Sequence, residues 1–226
     1  MGGRGASSMS GSRGSVAKGS LILPDGSAIE FDGELRFDGN DKAITGSVRA
    51  AIESWENKRV KNKIEYARAV DENGNYVGSE AKGSSGSCKI PSIFKESKVV
   101  SHNHPREAGI LGGTFSSADL IYFSQSLKGT TMRATSKEGT YSISKGKNFN
   151  ANGFSKYVSD CQKKFNNTMT EHGKRLKSEY YSNKIDADGY MKGRAKAFNN
   201  ALISLHNDYR SGQKQYGYTY TLEGKK

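Results

Sequence analysis

The stretch Ser97-Lys98-Val99-Val100-Ser101-His102-Asn103-His104-Pro105, followed by Phe115-Ser116-Ser117-Ala118-Asp119-Leu120, decides how the rest of the chain is read. Val99 and Val100 are β-branched and apolar, so the segment reads as a strand that runs straight into the histidines. Residues i and i+2 of an extended segment point to the same side, so both imidazoles reach one point from a single length of backbone, and Pro105 stiffens the exit. The chain holds only four histidines, which makes this pairing informative. Ser116 is a helix N-cap type, and a helix beginning there holds Asp119 in its first turn near the loop. Two histidines and one carboxylate form a zinc ligand set that leaves a position open for water. Zinc lowers the pKa of its water to about 7, yet hydrolysis also needs a group that takes the proton and hands it on. Glu65, in a strand expected beside Val99–Ser101, is the candidate; Glu53 and Glu56 on a helix and Glu72 in a turn are placed less favourably.

Outward from this stretch, Leu21-Ile22-Leu23-Pro24-Asp25-Gly26-Ser27-Ala28-Ile29-Glu30-Phe31 reads as two short apolar runs around a Pro-Asp-Gly turn, a small hairpin. Thr45 or Ser47 caps a helix in which Val48, Ile52 and Trp55 recur at helical spacing, ending near Arg59. Residues 64–70 alternate and end at Asp71-Glu72-Asn73-Gly74-Asn75, with a return strand from Tyr76. Two more strands are expected at Thr131–Ala134 and Thr140–Ser144. Beyond residue 150 one helical stripe runs from Phe154 to Tyr180 and a second from Met191 to Tyr209, joined by an Asp186-Ala187-Asp188-Gly189 turn, as an antiparallel helical hairpin. Tyr216 to Leu222 closes the chain as a period-two strand.

The expected organisation is therefore a basic, disordered Gly/Ser-rich tail over 1–19, a metal-binding α/β domain over 20–150, and a basic helical hairpin with its closing strand over 151–226. The first twenty residues carry six glycines, six serines and three basic side chains but no acid, too little apolar surface to offset the entropy of ordering. At 226 residues, 34% of them hydrophobic, the chain is long enough to bury a core. No run approaches the roughly 18 apolar residues of a membrane span, and the N-terminus lacks the apolar stretch of a secretory signal. Cys88 and Cys161 stand far apart, which excludes a disulfide framework or a cysteine zinc knuckle and makes a reducing, cytoplasmic setting the expectation.

The residues Glu65, then His102-Asn103-His104-Pro105, then Ser116-Ser117-Ala118-Asp119 resemble the JAB/MPN metalloenzymes with their JAMM motif, over roughly residues 45–145. The Asn between the histidines is similar to the RadC-like branch, and the Arg-containing Gly/Ser leader and overall layout look like JAB-like proteins of bacteriophages and mobile elements. The resemblance implies a cytidine-deaminase-like mixed sheet flanked by helices. It also implies zinc held by His102, His104 and Asp119, water activation by Glu65, and an oxyanion contact from Ser116. The spacer from Pro105 to Ser116 holds ten residues, longer than the family's usual one, and the strand after Glu65 lacks the small, Gly-rich character of the deconjugating members.

Each of these residues also has a plain structural use. His102 and His104 can form a hydrogen-bonded loop pair, Glu65 can be an exposed strand carboxylate, Ser116 a cap and Asp119 a complement to the helix dipole. Cys88, His172 and His206 need only packing. The expected function is zinc-dependent hydrolysis of a peptide or isopeptide bond in a protein substrate, a ubiquitin-like conjugate or a phage structural protein. The expected setting is the host cytoplasm, or the virion if the chain is phage-encoded. Two other classes remain beside it, a RadC-like nucleic-acid-associated protein and a catalytically silent phage head or assembly module. Residues 151–226 carry fourteen Lys/Arg against seven Asp/Glu, so a nucleic acid or an acidic partner at the C-terminal helices is a further expectation, and a membrane partner is not.

Overall fold

Period-two runs build a six-stranded mixed sheet and 3.6-period runs cover it with helices in the computed structural model, which describes residues 15–225. Strands β1 (Val16–Ile22) and β2 (Ala28–Arg36) form the expected hairpin as a separate antiparallel pair. β1 takes in Val16–Gly19, which composition assigns to the tail, because Ala17 and Leu21 pack into the core and β2 satisfies the backbone. Residues 1–14 of that expected tail lie outside the described residues.

The main sheet runs β4 (Tyr76–Lys82), β3 (Tyr66–Val70), β5 (Val99–Asn103), β6 (Thr131–Thr135), β7 (Gly139–Lys145) and β8 (Tyr218–Gly224) in spatial order. Among the strand pairs of this sheet only β5 and β6 are parallel, the two being joined through helix α2 (Ser117–Gln125). Helix α1 (Gly46–Arg59), with Thr45 at its N-cap position, lays Val48, Ile52 and Trp55 against Val70 and Val99 on one face of the sheet. Each such burial stabilises by about 1.5–3 kcal/mol. Glu56 arrives on the same face, fully buried, and accepts from Arg133 Nε at 2.8 Å, Arg133 Nη2 at 2.9 Å and Ser101 Oγ at 2.7 Å. Burial alone raises a carboxyl's pKa, but the Arg133 charge and hydrogen bonds outweigh it and hold Glu56 below its usual range. This pairing takes Glu56 out of consideration as a catalytic base.

The opposite face carries α2 and the helical hairpin, α3 (Ala151–Tyr181) and α4 (Ala187–Ser211), with a short α5 (Gln213–Tyr216) leading into β8. The Asp186–Gly189 segment is the start of α4, not the expected turn: Asp186 is the N-cap, accepting the Gly189 N–H at 2.7 Å. The hairpin packs both on itself and on the sheet. One core joins Phe154, Val158, Leu202 and Tyr209 with Met132, Tyr141 and Leu222 across residue 150, so the boundary expected there separates no cores. Among the described residues, no helix is long and apolar enough to cross a membrane, and Cys88 and Cys161 are free.

Candidate metal centre

Strand β5 alternates Val100 and His102 toward the hairpin side and Ser101 and Asn103 toward the other. His104, one residue past the strand, keeps the alternation, its N–H bonded to the Thr135 carbonyl at 2.8 Å. The two imidazoles thereby meet with their Nε2 atoms 2.8 Å apart, both rings buried. Asp119 arrives from α2. Ser116 is the N-cap, its hydroxyl accepting the Asp119 N–H at 3.2 Å while the Asp119 carboxylate accepts the Ser116 N–H at 2.8 Å, a reciprocal capping box. That box aims Asp119 Oδ2 at His102 Nε2, 3.4 Å away.

One ligand atom from each of His102, His104 and Asp119 lies within 4.8 Å of the others, so the three form a group that could hold a metal ion. The tautomers support this. His104 Nδ1 faces the Gly113 carbonyl at 3.1 Å, an acceptor, so the proton sits on Nδ1 and the Nε2 lone pair points at the cluster. That lone pair and the Asp119 carboxylate converge on one small buried space, which calls for a positive centre. Without metal, a proton on His102 serves: burial works against it, but Asp119 and then Glu65 outweigh burial and raise the His102 pKa. Burial, followed by the His102 charge, lowers His104 to about 3. Asp119 is held well below the carboxylate range, its burial outweighed by His102 and His104 and by the Ser116 bond. His102 Nδ1 is buried with no hydrogen-bond partner among the described residues.

Glu65 lies immediately before β3 rather than within it, and is 7% exposed. Its N–H donates to Ser84 O at 2.7 Å and its carbonyl accepts from Gly83 N at 2.9 Å. The peptide groups on either side are clamped by Asn103: Tyr66 N–H donates to Asn103 Oδ1 at 2.7 Å, and Asn103 Nδ2 donates to Ile64 O at 3.0 Å. The residue between the histidines therefore fixes where Glu65 sits. Burial raises the Glu65 carboxyl above its usual pKa, with His102 and Arg106 pulling the other way and Asp119 adding to the rise. Glu65 shares the field of the cluster but is not one of its three ligand-type residues. The Ser116 hydroxyl is committed to Asp119 Oδ2 at 2.7 Å, so capping and aiming that carboxylate is the role its geometry displays.

Two anchors of the 106–115 loop carried no sequence signal. Glu138, just before β7, is fully buried and accepts the N–H groups of Gly112 at 3.1 Å and Gly113 at 2.9 Å. Asn199 of α4 donates to Gly109 O and Glu30 O and accepts from Leu111 N, all at 2.9 Å. The long spacer is thus pinned from two sides, and Gly113, at φ 81° with Leu202 Cδ2 only 2.8 Å from where a Cβ would stand, presents its carbonyl to His104. Compared with known proteins, the chain matches no family model, no curated sequence and no solved structure.

Proposed function

We propose that this chain is a zinc-dependent metallohydrolase of the JAB/MPN type that cleaves a peptide or isopeptide bond in a protein substrate. The observation that carries this is the buried convergence of His102, His104 and Asp119, with the buried carboxyl group of Glu65 within the electrostatic reach of His102 and Asp119. The donor set fits zinc: two imidazole nitrogens, one with its tautomer fixed by a carbonyl, and a carboxylate oriented by a second hydrogen bond. Zinc held there would supply Lewis acidity, making water nucleophilic at neutral pH and polarising the scissile carbonyl.

The rest of the chemistry falls to the chain. A Glu65 carboxylate oxygen takes the proton from the attacking water and returns it to the leaving nitrogen, and its raised pKa suits a group that must both accept and release. Asn103 holds Glu65 in register, and Glu138 holds the loop whose Gly113 carbonyl orients His104. Ser116 steadies Asp119, and its hydroxyl can exchange that bond for one to the oxyanion as charge develops there.

The test is proteolysis of an unfolded protein substrate such as casein by the zinc-supplied chain, with products identified by mass spectrometry. Wild type should generate new termini, and Glu65→Gln should be slower by about 10²-fold or more, the usual scale of a general acid–base contribution. No cleavage by wild type, or equal cleavage by Glu65→Gln, would overturn the proposal.

A further inference from the structure

An open groove of about 1130 Å³ runs between α4, the β1–β2 hairpin, the segment between α1 and β3, and the loop that follows His104. Its lining carries seven cationic side chains against two carboxylates, Glu30 and Glu107. Three of the cations, Lys137, Lys192 and Lys196, are already paired with Asp25, Asp188 and Asp32. Lys61, Lys63, Arg106 and Arg194 line the groove with no ion-pair partner among the described residues. Between the charges the surface is apolar and pliable, with Met169, Met191 and Ile110, and Met191 is 60% exposed.

Pro105 and Arg106, the two residues that follow His104 in the chain, are part of the groove's lining. The Arg106 Nη1 donates to its neighbour's carbonyl at 3.0 Å, while its Nε–H is buried with no partner. A guanidinium with an unspent donor beside a hydrolytic centre matches a carboxylate geometrically.

We propose that the groove binds an extended acidic polypeptide segment of the substrate, and that Arg106 receives a carboxylate next to the bond presented to the metal centre. This rests on the hydrolase reading for the word substrate, but not for binding. A single-stranded nucleic acid fits less well. Its bases call for exposed aromatic faces, of which the lining offers only the half-buried Phe198, and Glu30 and Glu107 oppose a continuous phosphate chain. A peptide in which acids alternate with apolar residues meets both the free cations and the methionines. The chain's own residues 1–14 carry Arg4 and Arg13 and no acid, so their charge disfavours them as occupants.

Fluorescence polarisation on the full chain, without metal and without turnover, tests this with a labelled peptide of alternating Glu and Leu, its Gln-for-Glu counterpart and oligothymidylate. The Glu peptide should bind at least about tenfold tighter than the Gln peptide. Lys61→Ala/Lys63→Ala should weaken it by about threefold or more, the scale of two solvent-exposed ion pairs. Lys174→Ala/Lys177→Ala, exposed on α3 outside the groove, should leave it unchanged. Arg106→Ala should weaken binding and, in cleavage of a peptide library, remove a preference for an acidic residue beside the cut. Equal binding of the two peptides, tighter binding of oligothymidylate, or equal weakening by the α3 variant would overturn the proposal. Discriminating binding without cleavage would sink the hydrolase reading and leave the groove standing; cleavage without discrimination would do the reverse.

Discussion

Asn103→Ala removes the side chain that joins β5 to the backbone on both sides of Glu65. Two hydrogen bonds are lost, at 2.7 and 3.0 Å, and Asn103 itself is fully buried. Each bond contributes roughly 0.5–1.5 kcal/mol net, and a buried group left without a partner costs about 1–3 kcal/mol. Tyr66 and Ile64 are only partly buried, so water recovers some of the second cost, and the expected loss of stability is about 2–4 kcal/mol. Urea denaturation of wild type and variant at unchanged m-value measures it. His102 and His104 point to the other face of the strand, so metal binding under native conditions should persist while hydrolysis falls with the displacement of Glu65. A loss below about 0.5 kcal/mol, within the ordinary range of inconsequential surface changes, would refute the clamp. Metal affinity falling in step with stability would assign Asn103 to the histidines instead.

Glu56→Gln removes the doubly hydrogen-bonded charge partner of the buried Arg133 guanidinium but leaves Glu223 at 3.5 Å and Glu53 at 3.9 Å, and should cost about 1–3 kcal/mol in denaturant unfolding. Because the folded Glu56 pKa is depressed, its contribution is present above the unfolded carboxyl value and is lost as pH falls through the folded one. The wild-type acid limb should therefore be steeper below about pH 4 than that of Glu56→Gln. His206, buried between Tyr220 and Arg210, is lowered to about 3, chiefly by burial. The folded chain holds it neutral, so its contribution is full above the unfolded value of about 6.5 and falls as pH drops from there toward 3, by about 2 kcal/mol between pH 7 and 5. His206→Gln should lower stability at neutral pH yet lessen that decline, and an unchanged slope would contradict the assignment.

Much of this architecture is legible in the order of residues because the signals are local. Val48, Ile52 and Trp55 announce α1 by spacing, Asp71–Asn75 announces a turn by composition, and His102-Asn103-His104 followed by Ser116 and Asp119 brings three ligand residues to one point by strand alternation and a helix cap. What escapes is what depends on partners far along the chain. Val16–Gly19 look like tail until β2 pairs with them and Ala17 finds the core. Asp186 and Asp188 suit a turn as well as a helix start, and only the Gly189 N–H decides. Glu138 and Asn199 are ordinary polar residues in sequence, and their work on the 106–115 loop exists only because β7 and α4 are folded against it. Glu56, a catalytic alternative by type alone, is claimed by Arg133 from 77 residues away.

The proposed chemistry stands on one metal ion held by His102, His104 and Asp119. Elemental analysis of untagged protein purified without chelator, beside the His102→Ala/His104→Ala variant, tests it most directly. Wild type should carry about one zinc per chain and the variant almost none, the result expected when two of three protein ligands are removed. Wild type that carries no metal and takes up none from a zinc-containing buffer, or a variant that retains it, would show that these three residues do not hold a metal ion.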